Sequence, residues 1–472
     1  MSIRTAFVST YPPRHCGIAT FTRDLVSVAG AHEVVALQPA YQVEPYPMEV
    51  HHRIRRDVDA DYARAARALR DCDVDVVSVQ HEYGIWGGED GARILDFVRA
   101  LDKPVVATLH TVLRHPTASQ RRILSQLVRG VATTVVMSGS AASLLTKVYD
   151  IGSSQLEVVP HGVPDLDLVD SSTAKPALGL AGRRVLLSFG LLGPSKGYEL
   201  PIEAMPAIVR DVPDVCYVVL GATHPDLLRR EGEAYRRSLI ERTDALGMAD
   251  HVRFVDRFVS PRELGRWLQA ADVFVTPYPN LDQIVSGTLS YAMGAGKAVV
   301  STPYAYAAEL LANGRGVLVP PGSPGALADA VANLLRNPGL RAAVGRRAYE
   351  YSRPMVWREV GAAYAGVFAR FARVARATPV ASSPRMPACR NATTRASTRL
   401  AGEGTNLLLL APPGAIPFQF GPGSRAAHAG TAARAGATYV EREGQLGLDL
   451  DTPDDLLAAE AVGLGGSATD LP

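Results

Sequence analysis

Cysteine is scarce in this sequence, and its spacing excludes more than its number. Cys16, Cys72, Cys216 and Cys389 stand far apart and form no CxxC pair. That rules out a zinc-ribbon or disulfide framework and reads as reduced thiols in a cytoplasmic protein. Long apolar runs are also missing. Nothing approaches the roughly 18 consecutive apolar residues of a spanning helix, so no transmembrane segment is expected. The start, "MSIRTAFVSTYPPRHCG", has no apolar core of the signal-peptide kind. Nor is there an excess of either charge. With 49 basic and 47 acidic residues the net charge is +2, which gives no electrostatic case for nucleic acid or an anionic membrane as partner. What remains, 47% hydrophobic and 20% charged over 472 residues, is a globular composition on a chain too long for one core.

Short Val-rich runs fill the first part of the chain: "IRTAFVST", "EVVALQP", "VDVVSVQHE", "PVVATLH", "TTVVMSG" and "LEVVPHG". They are continuous rather than alternating, as in parallel strands covered on both faces. The segments between them are long enough for crossover helices. The pattern restarts with "RVLLSFG", "VCYVVLG", "VRFVDRF", "VFVTPY", "AVVSTP" and "GVLVPP", after a polar, turn-rich break, "DLDLVDSSTAKPALGLAGR". The expectation is an α/β chain with two tandem Rossmann-like domains, residues 1–168 and 169–352, enclosing a cleft. In "PMVWREVGAAYAGVFARFARVAR", Val356, Trp357, Val360, Tyr364, Val367, Phe368 and Phe371 form one apolar face. Residues 353–376 are therefore expected to be a helix packing back on the first domain. Residues 377–398 are polar, Pro-bearing and unpatterned, which predicts a linker. Residues 399–463 begin something different, and residues 464–472 look frayed.

Ligands of open parallel sheets bind beyond the carboxyl ends of the strands, so the informative residues follow the strands. Gly17 lies between a strand and a helix, where backbone N–H groups can approach an anion; a glycine there also serves purely steric ends. His81 and Glu82 end one strand and His110 the next. Trp86, on the Gly-rich loop after Glu82, either stacks on a sugar ring or pins the loop. In "SFGLLGPSKGYEL", Lys196 sits on a Gly/Pro-rich turn at the mouth of a helix and suits a phosphate as a point charge. In "QIVSGTLSYAMGAGKAVVSTP", Ser286 and Thr288 are N-cap types, and Gly287 lets backbone approach closely. The helix that follows is apolar, hence buried, and its N–H groups and positive dipole end suit an anion. Lys196 and Ser286–Thr288 together fit a diphosphate, provided both turns share one sheet edge.

At these residues the chain resembles the retaining family-4, group 1 glycosyltransferases of the two-Rossmann GT-B fold. The matching pieces run in order from "PPRHCGIATFTRDL" through "VATLHTV", "VPHGVPD", "SFGLLGPSKG" and "LGMADHVRFVDRFVSPRELGRWLQAADVFVTPY" to "SYAMGAGKAVVSTP". Two departures stand out. The paired glutamates usual in such enzymes correspond to Gln283 and Tyr291, and the arginine of the usual diphosphate pair corresponds to Leu191. The tail, "GEGTNLLLLAPPGAIPFQFGPGSRAAHAG" and "LGLDLDTPDDL", resembles the C-terminal half of the guanylyltransferases that activate phosphoenolpyruvate or phospholactate. Thr405, Gly421 and Ser424 match their carboxylate-binding positions, and Asp449 and Asp451 their metal-binding pair. The other half of that fold is absent, which favours a truncated fusion remnant.

The resemblance implies sugar transfer from a nucleotide-sugar to an unidentified carbohydrate or small-molecule hydroxyl. Ser286, Gly287 and Thr288 would hold the diphosphate, with Lys196 adding charge and Gly17 closing over it. Gln283 and Tyr291 would contact donor sugar and nucleoside, His110 would position the donor sugar, and His81, Glu82 and Trp86 would shape the acceptor side. No cofactor or metal is required for transfer; Mg²⁺ enters only if the tail is active. The alternatives are a non-catalytic GT-B protein that binds nucleotide or sugar, and guanylyl transfer by the tail.

Overall fold

A computed structural model of the chain describes residues 3–30, 32–39, 45–377, 393–398, 405–411 and 438–442. They fall into two compact units, Met1–Thr378 and Pro379–Pro472. The first unit holds two parallel sheets. In one, β1 (Thr5–Ser9), β2 (Glu33–Gln38), β3 (Val50–Arg55), β4 (Val76–His81), β5 (Val105–Leu109), β6 (Thr133–Val136) and β7 (Leu156–Val158) lie in the order 3-2-1-4-5-6-7. In the other, β8 (Arg184–Phe189), β9 (Val215–Leu220), β10 (Val252–Val255), β11 (Val273–Thr276), β12 (Ala298–Ser301) and β13 (Val317–Leu318) lie in the order 10-9-8-11-12-13. This is the GT-B architecture. Every residue of β1, β5, β6, β9, β11 and β12 is buried, as helices on both faces require. Strand order reverses between β1 and β4 and between β8 and β11. Those switch points open crevices at the carboxyl ends, one from each domain.

β3 is not among the expected strands. Its sequence, Val50–Arg55, alternates between exposed and partly or fully buried side chains because it is the sheet's edge, so it lacks the continuous apolar run of the inner strands.

The helix Trp357–Ala377 returns to the first domain. Val360, Tyr364, Val367 and Phe368 are buried in that domain's core. Phe368 meets Phe7 edge-on at 5.9 Å, and the Tyr364 hydroxyl lies 3.1 Å from Thr108 Oγ1. Each such apolar side chain contributes about 1.5–3 kcal/mol by burial. The crossing is pinned where Val163 N–H donates to Met355 O at 2.8 Å and Trp357 N–H donates to Val163 O at 3.0 Å. The domains also grip each other through the helix Gly139–Tyr149. The Glu309 carboxylate accepts its first N–H groups, from Gly139 at 2.9 Å and Ser140 at 2.8 Å. A carboxylate there satisfies orphan donors and complements the helix dipole.

In the second unit, β14 (Thr393–Thr398) lies between β15 (Thr405–Ala411), antiparallel to it, and β16 (Thr438–Arg442), parallel to it. The expected linker, 377–398, is thus too long: Ala377 ends the preceding helix and 393–398 form a strand. "TTRAST" is Thr-rich, which favours a strand even without an apolar run. Of the tail positions singled out above, Thr405 opens β15, while Gly421, Ser424, Asp449, Asp451 and the frayed end lie outside the described residues. Among the described residues no helix is long and apolar enough to cross a membrane.

Candidate active site

A cleft of about 1010 Å³ lies between the two sheets' carboxyl ends. Gly17, Glu82, His110, Lys196, Gln283, Ser286, Gly287, Thr288 and Tyr291 all line it. The two turns of the second domain do meet. Lys196 ends the short turn Pro194–Lys196 after β8, and Gly197 follows at φ 66°. A Cβ at Gly197 would stand 2.3 Å from Pro277 O, so only glycine lets this turn lie against the β11 end. The Lys196 ammonium sits 4.4 Å from the centre of the Tyr278 ring, and the Tyr278 hydroxyl lies 2.7 Å from Thr288 Oγ1. Tyr278 therefore ties the lysine to the helix start. Burial raises the Tyr278 phenol; Lys196 and the Ser286 and Thr288 hydroxyls outweigh it, and the net direction is down.

Ser286 caps the helix Gly287–Gly294, its Oγ accepting from Leu289 N–H at 3.3 Å. The N–H groups of Gly287 and Thr288 precede any intrahelical acceptor and sit at the positive helix end. Ser286 is 5% exposed, while Gly287 and Thr288 are half-buried where the helix start meets the cleft. Gly287 also has a packing reason: a Cβ there would stand 2.9 Å from His161 Nε2. At Gly17 a Cβ would meet nothing within 4 Å. Gly17 starts the helix Gly17–Ala29, whose N-cap Cys16 makes no side-chain bond to it. Gly17 lines the cleft, and no contact among the described residues demands a glycine there.

His110 follows β5. Its Nε2 lies 2.8 Å from Gln80 Oε1 and its ring meets Phe21 edge-on at 4.9 Å. Because the amide oxygen only accepts, Nε2 carries the proton and Nδ1 keeps a lone pair. Burial, then His161 and His81, push His110 down to about 3, so the imidazole is neutral near pH 7. Glu82 accepts from Gly84 N–H at 2.8 Å, and burial raises its carboxyl. Gln283 donates from Nε2 to Val285 O at 2.8 Å and so shapes the loop before Ser286. The Tyr291 hydroxyl donates to Asp24 Oδ2 of the first domain at 3.0 Å. Its ring borders the cleft while its polar end joins the domains.

Two side chains assigned to the acceptor side are elsewhere. Trp86 is 2% exposed, donates from its indole to Gln80 O at 2.9 Å and packs against Phe97 and Tyr62. It pins the loop. His81 is fully buried, with neither ring nitrogen hydrogen-bonded among the described residues and its ring edge-on to Tyr83. Every residue of β4 is buried, and His81, its last, is covered with the rest. Three cleft residues are absent from the sequence reading. His161, after β7, bonds Gly162 O through Nδ1 at 2.8 Å and turns Nε2 to Gly287; burial pushes it down to about 4. A third strand-end histidine in one half was the available signal. Arg14, in the loop after β1, lines the cleft with a buried Nη1 that has no hydrogen-bond partner among the described residues. Tyr278 ends the "VFVTPY" run and had no separate signal.

The family model "Glycosyl transferases group 1" matches residues 170–351, and "Glycosyltransferase Family 4" matches residues 19–165. The chain belongs to the group 1 glycosyltransferases. Phosphatidyl-myo-inositol mannosyltransferase of Mycobacterium leprae is 28% identical over 295 residues, 60% of this chain and 70% of that protein. Anabaena HepE in complex with UDP-glucose shares the fold, with TM-score 0.63 and 16% identity, over 78% of this chain and 99% of that one. Phosphoenolpyruvate guanylyltransferase of Rubrobacter xylanophilus is 50% identical over 64 residues, which span 13% of this chain and 31% of that enzyme.

Proposed function

We propose that this glycosyltransferase moves a sugar from a nucleoside-diphosphate donor to a carbohydrate or small-molecule hydroxyl, with retention of configuration and without a metal. The observation that carries the reading is the convergence of Lys196, held over Tyr278, with the free start of the buried Gly287–Gly294 helix on one wall of the cleft. That HepE was crystallised with UDP-glucose supports a donor of this class. Arg14 supplies the second positive charge from the opposite domain, the task for which Leu191 is unsuited.

As the bond from the anomeric carbon to the diphosphate oxygen breaks, negative charge grows on that oxygen. Lys196, Arg14 and the Gly287 and Thr288 N–H groups stabilise it more than the ground state. The acceptor hydroxyl attacks the same face, a new C–O bond forms, and its proton passes to the departing phosphate. Neutral His110 positions the donor sugar through its Nδ1 lone pair, and Glu82 borders the acceptor side. Fixed cations and a helix end perform the charge stabilisation that metals perform elsewhere. The dispersed thiols and near-neutral charge fit a cytoplasmic location. The Rubrobacter match covers under a third of that enzyme, so no guanylyl transfer is proposed.

The test incubates the full chain with a panel of nucleotide-sugars and acceptors and follows products by mass spectrometry and anomeric NMR. Transfer or slow hydrolysis with retained configuration is expected. Binding of a nucleotide-sugar with neither reaction would make the protein a non-catalytic sugar-nucleotide binder.

A further inference from the structure

Outside the cleft, one cluster brings together three different metal-ligand types. Glu33 opens β2, His52 lies on β3, and Cys72 caps the C-terminal end of the helix Asp59–Asp71. One donor atom from each lies within 4.8 Å of the others, and all three residues are half-buried. None of them lines the cleft.

The backbone builds this meeting. Between β2 and β3 the register slips: Val34 opposes Val50, but Val35 opposes His52, so His51 is an extra residue. A bulge re-aims side chains that strict alternation would send to opposite faces. His52 shares its face with Ile54, and Glu33 with Val35, and that face packs beneath the Asp59–Asp71 helix whose end carries Cys72. His51 Nδ1 reaches to 2.8 Å from Glu33 Oε2. Even so, that carboxylate oxygen is buried without a hydrogen bond of acceptable geometry. The Cys72 thiol also bonds to the Glu33 carboxylate, so thiol, imidazole and carboxylate already converge on one point. An opening of about 280 Å³ beside the cluster is lined by His51, His52, Arg53, Arg64 and Ala65.

We propose that Glu33, His52 and Cys72 bind a zinc-class divalent cation at this sheet edge, with His51 as the nearest further donor. The mixed thiol, imidazole and carboxylate set selects a borderline-soft ion over Mg²⁺ or Ca²⁺, which take oxygen. Bonds of about 2.0–2.3 Å place tetrahedral ligands roughly 3.3–3.8 Å apart, so side-chain rotations of about 1 Å complete the site. On binding, Cys72 releases its thiol proton to solvent and coordinates as thiolate. The ion then joins β2, the edge strand β3 and the helix end, closing an edge that is otherwise open.

The experiment uses the full chain, stripped with a chelator and titrated with Co²⁺ and then Zn²⁺. The expected result is one equivalent of Co²⁺ with a thiolate-to-cobalt charge-transfer band, bleached by Zn²⁺. Cys72→Ser abolishes that band while Cys389→Ser keeps it. His52→Ala and Glu33→Gln weaken Zn²⁺ binding tenfold or more, read by competition with a chromophoric chelator. Absence of the band in the native chain overturns the proposal, as does its persistence in Cys72→Ser. Should Cys72→Ser fail to fold, unchanged zinc affinity in the partly exposed His52→Ala variant overturns it equally.

Discussion

Gly287→Ala and Gly17→Ala separate a glycine that the protein needs from one that only a ligand would need. At Gly287 the new methyl carbon would stand 2.9 Å from His161 Nε2 and 3.2 Å from its Cε1. His161 has little room to yield. Its Nδ1 is bonded to Gly162 O at 2.8 Å, and its ring packs against Phe21 and Trp357. Gly162 is itself held, since a Cβ there would stand 2.3 Å from Trp357 ring atoms. Such overpacking costs about 1–3 kcal/mol, partly offset by the better helix propensity of alanine, at most about 1 kcal/mol. A net loss of about 1–2 kcal/mol in a domain of this size lowers Tm by roughly 2–8 °C. At Gly17 the added methyl meets nothing within 4 Å. Melting should there hold or rise slightly, while diphosphate binding falls because the methyl enters the cleft. The assay is differential scanning calorimetry with titration of a nucleoside diphosphate into each variant. Wild-type melting of Gly287→Ala would refute the packing argument, and undiminished binding by Gly17→Ala would remove that residue from the site.

Three further outcomes are expected. His110→Ala should lower turnover far more than it weakens diphosphate binding, measured as kcat against Kd; wild-type turnover would make the residue structural. Acid should destabilise the first domain through its neutral histidines: folded values of about 4 for His81, about 3 for His110 and about 4 for His161 lie below the ordinary 6.5. The unfolded chain therefore binds the extra protons, and stability present above about pH 6.5 is lost as pH falls towards 4, on the order of 2 kcal/mol per group at pH 5. Melting between pH 7 and pH 5 checks this, and His81→Leu should flatten the curve; a flat curve in the native chain would contradict it. Gln283→Glu with Tyr291→Glu should not improve transfer, since Gln283 braces Val285 O and Tyr291 bonds Asp24, where a second carboxylate would face the first. Strongly raised activity would show the site to be a damaged copy.

Continuous apolar runs made the inner strands legible, because burial on both faces leaves little choice of residue. The edge strand β3 was hidden by its half-exposed pattern, and β14 by a Thr-rich sequence without an apolar run. For the site, a position after a strand locates the correct end of the sheet but not the direction of the side chain. Hence Glu82 and His110 reach the cleft while His81, one residue earlier than Glu82, is buried. Of the two readings of Trp86, sugar platform or loop pin, the structure favours the pin, since its indole N–H donates to Gln80 O. Arg14 and the His161–Gly287 contact join residues from different strand ends, a proximity that only the closed pair of domains creates.

The central claim is that the cleft holds a diphosphate through Lys196 and the Gly287–Gly294 helix start. Isothermal titration of UDP and other nucleoside diphosphates into the native chain and Lys196→Ala tests it most directly. Loss of one charge-assisted hydrogen bond, about 1.5–3 kcal/mol, predicts roughly ten- to hundredfold weaker binding in the variant. Equal affinity in both proteins, or no binding of any nucleoside diphosphate to the native chain, would contradict it.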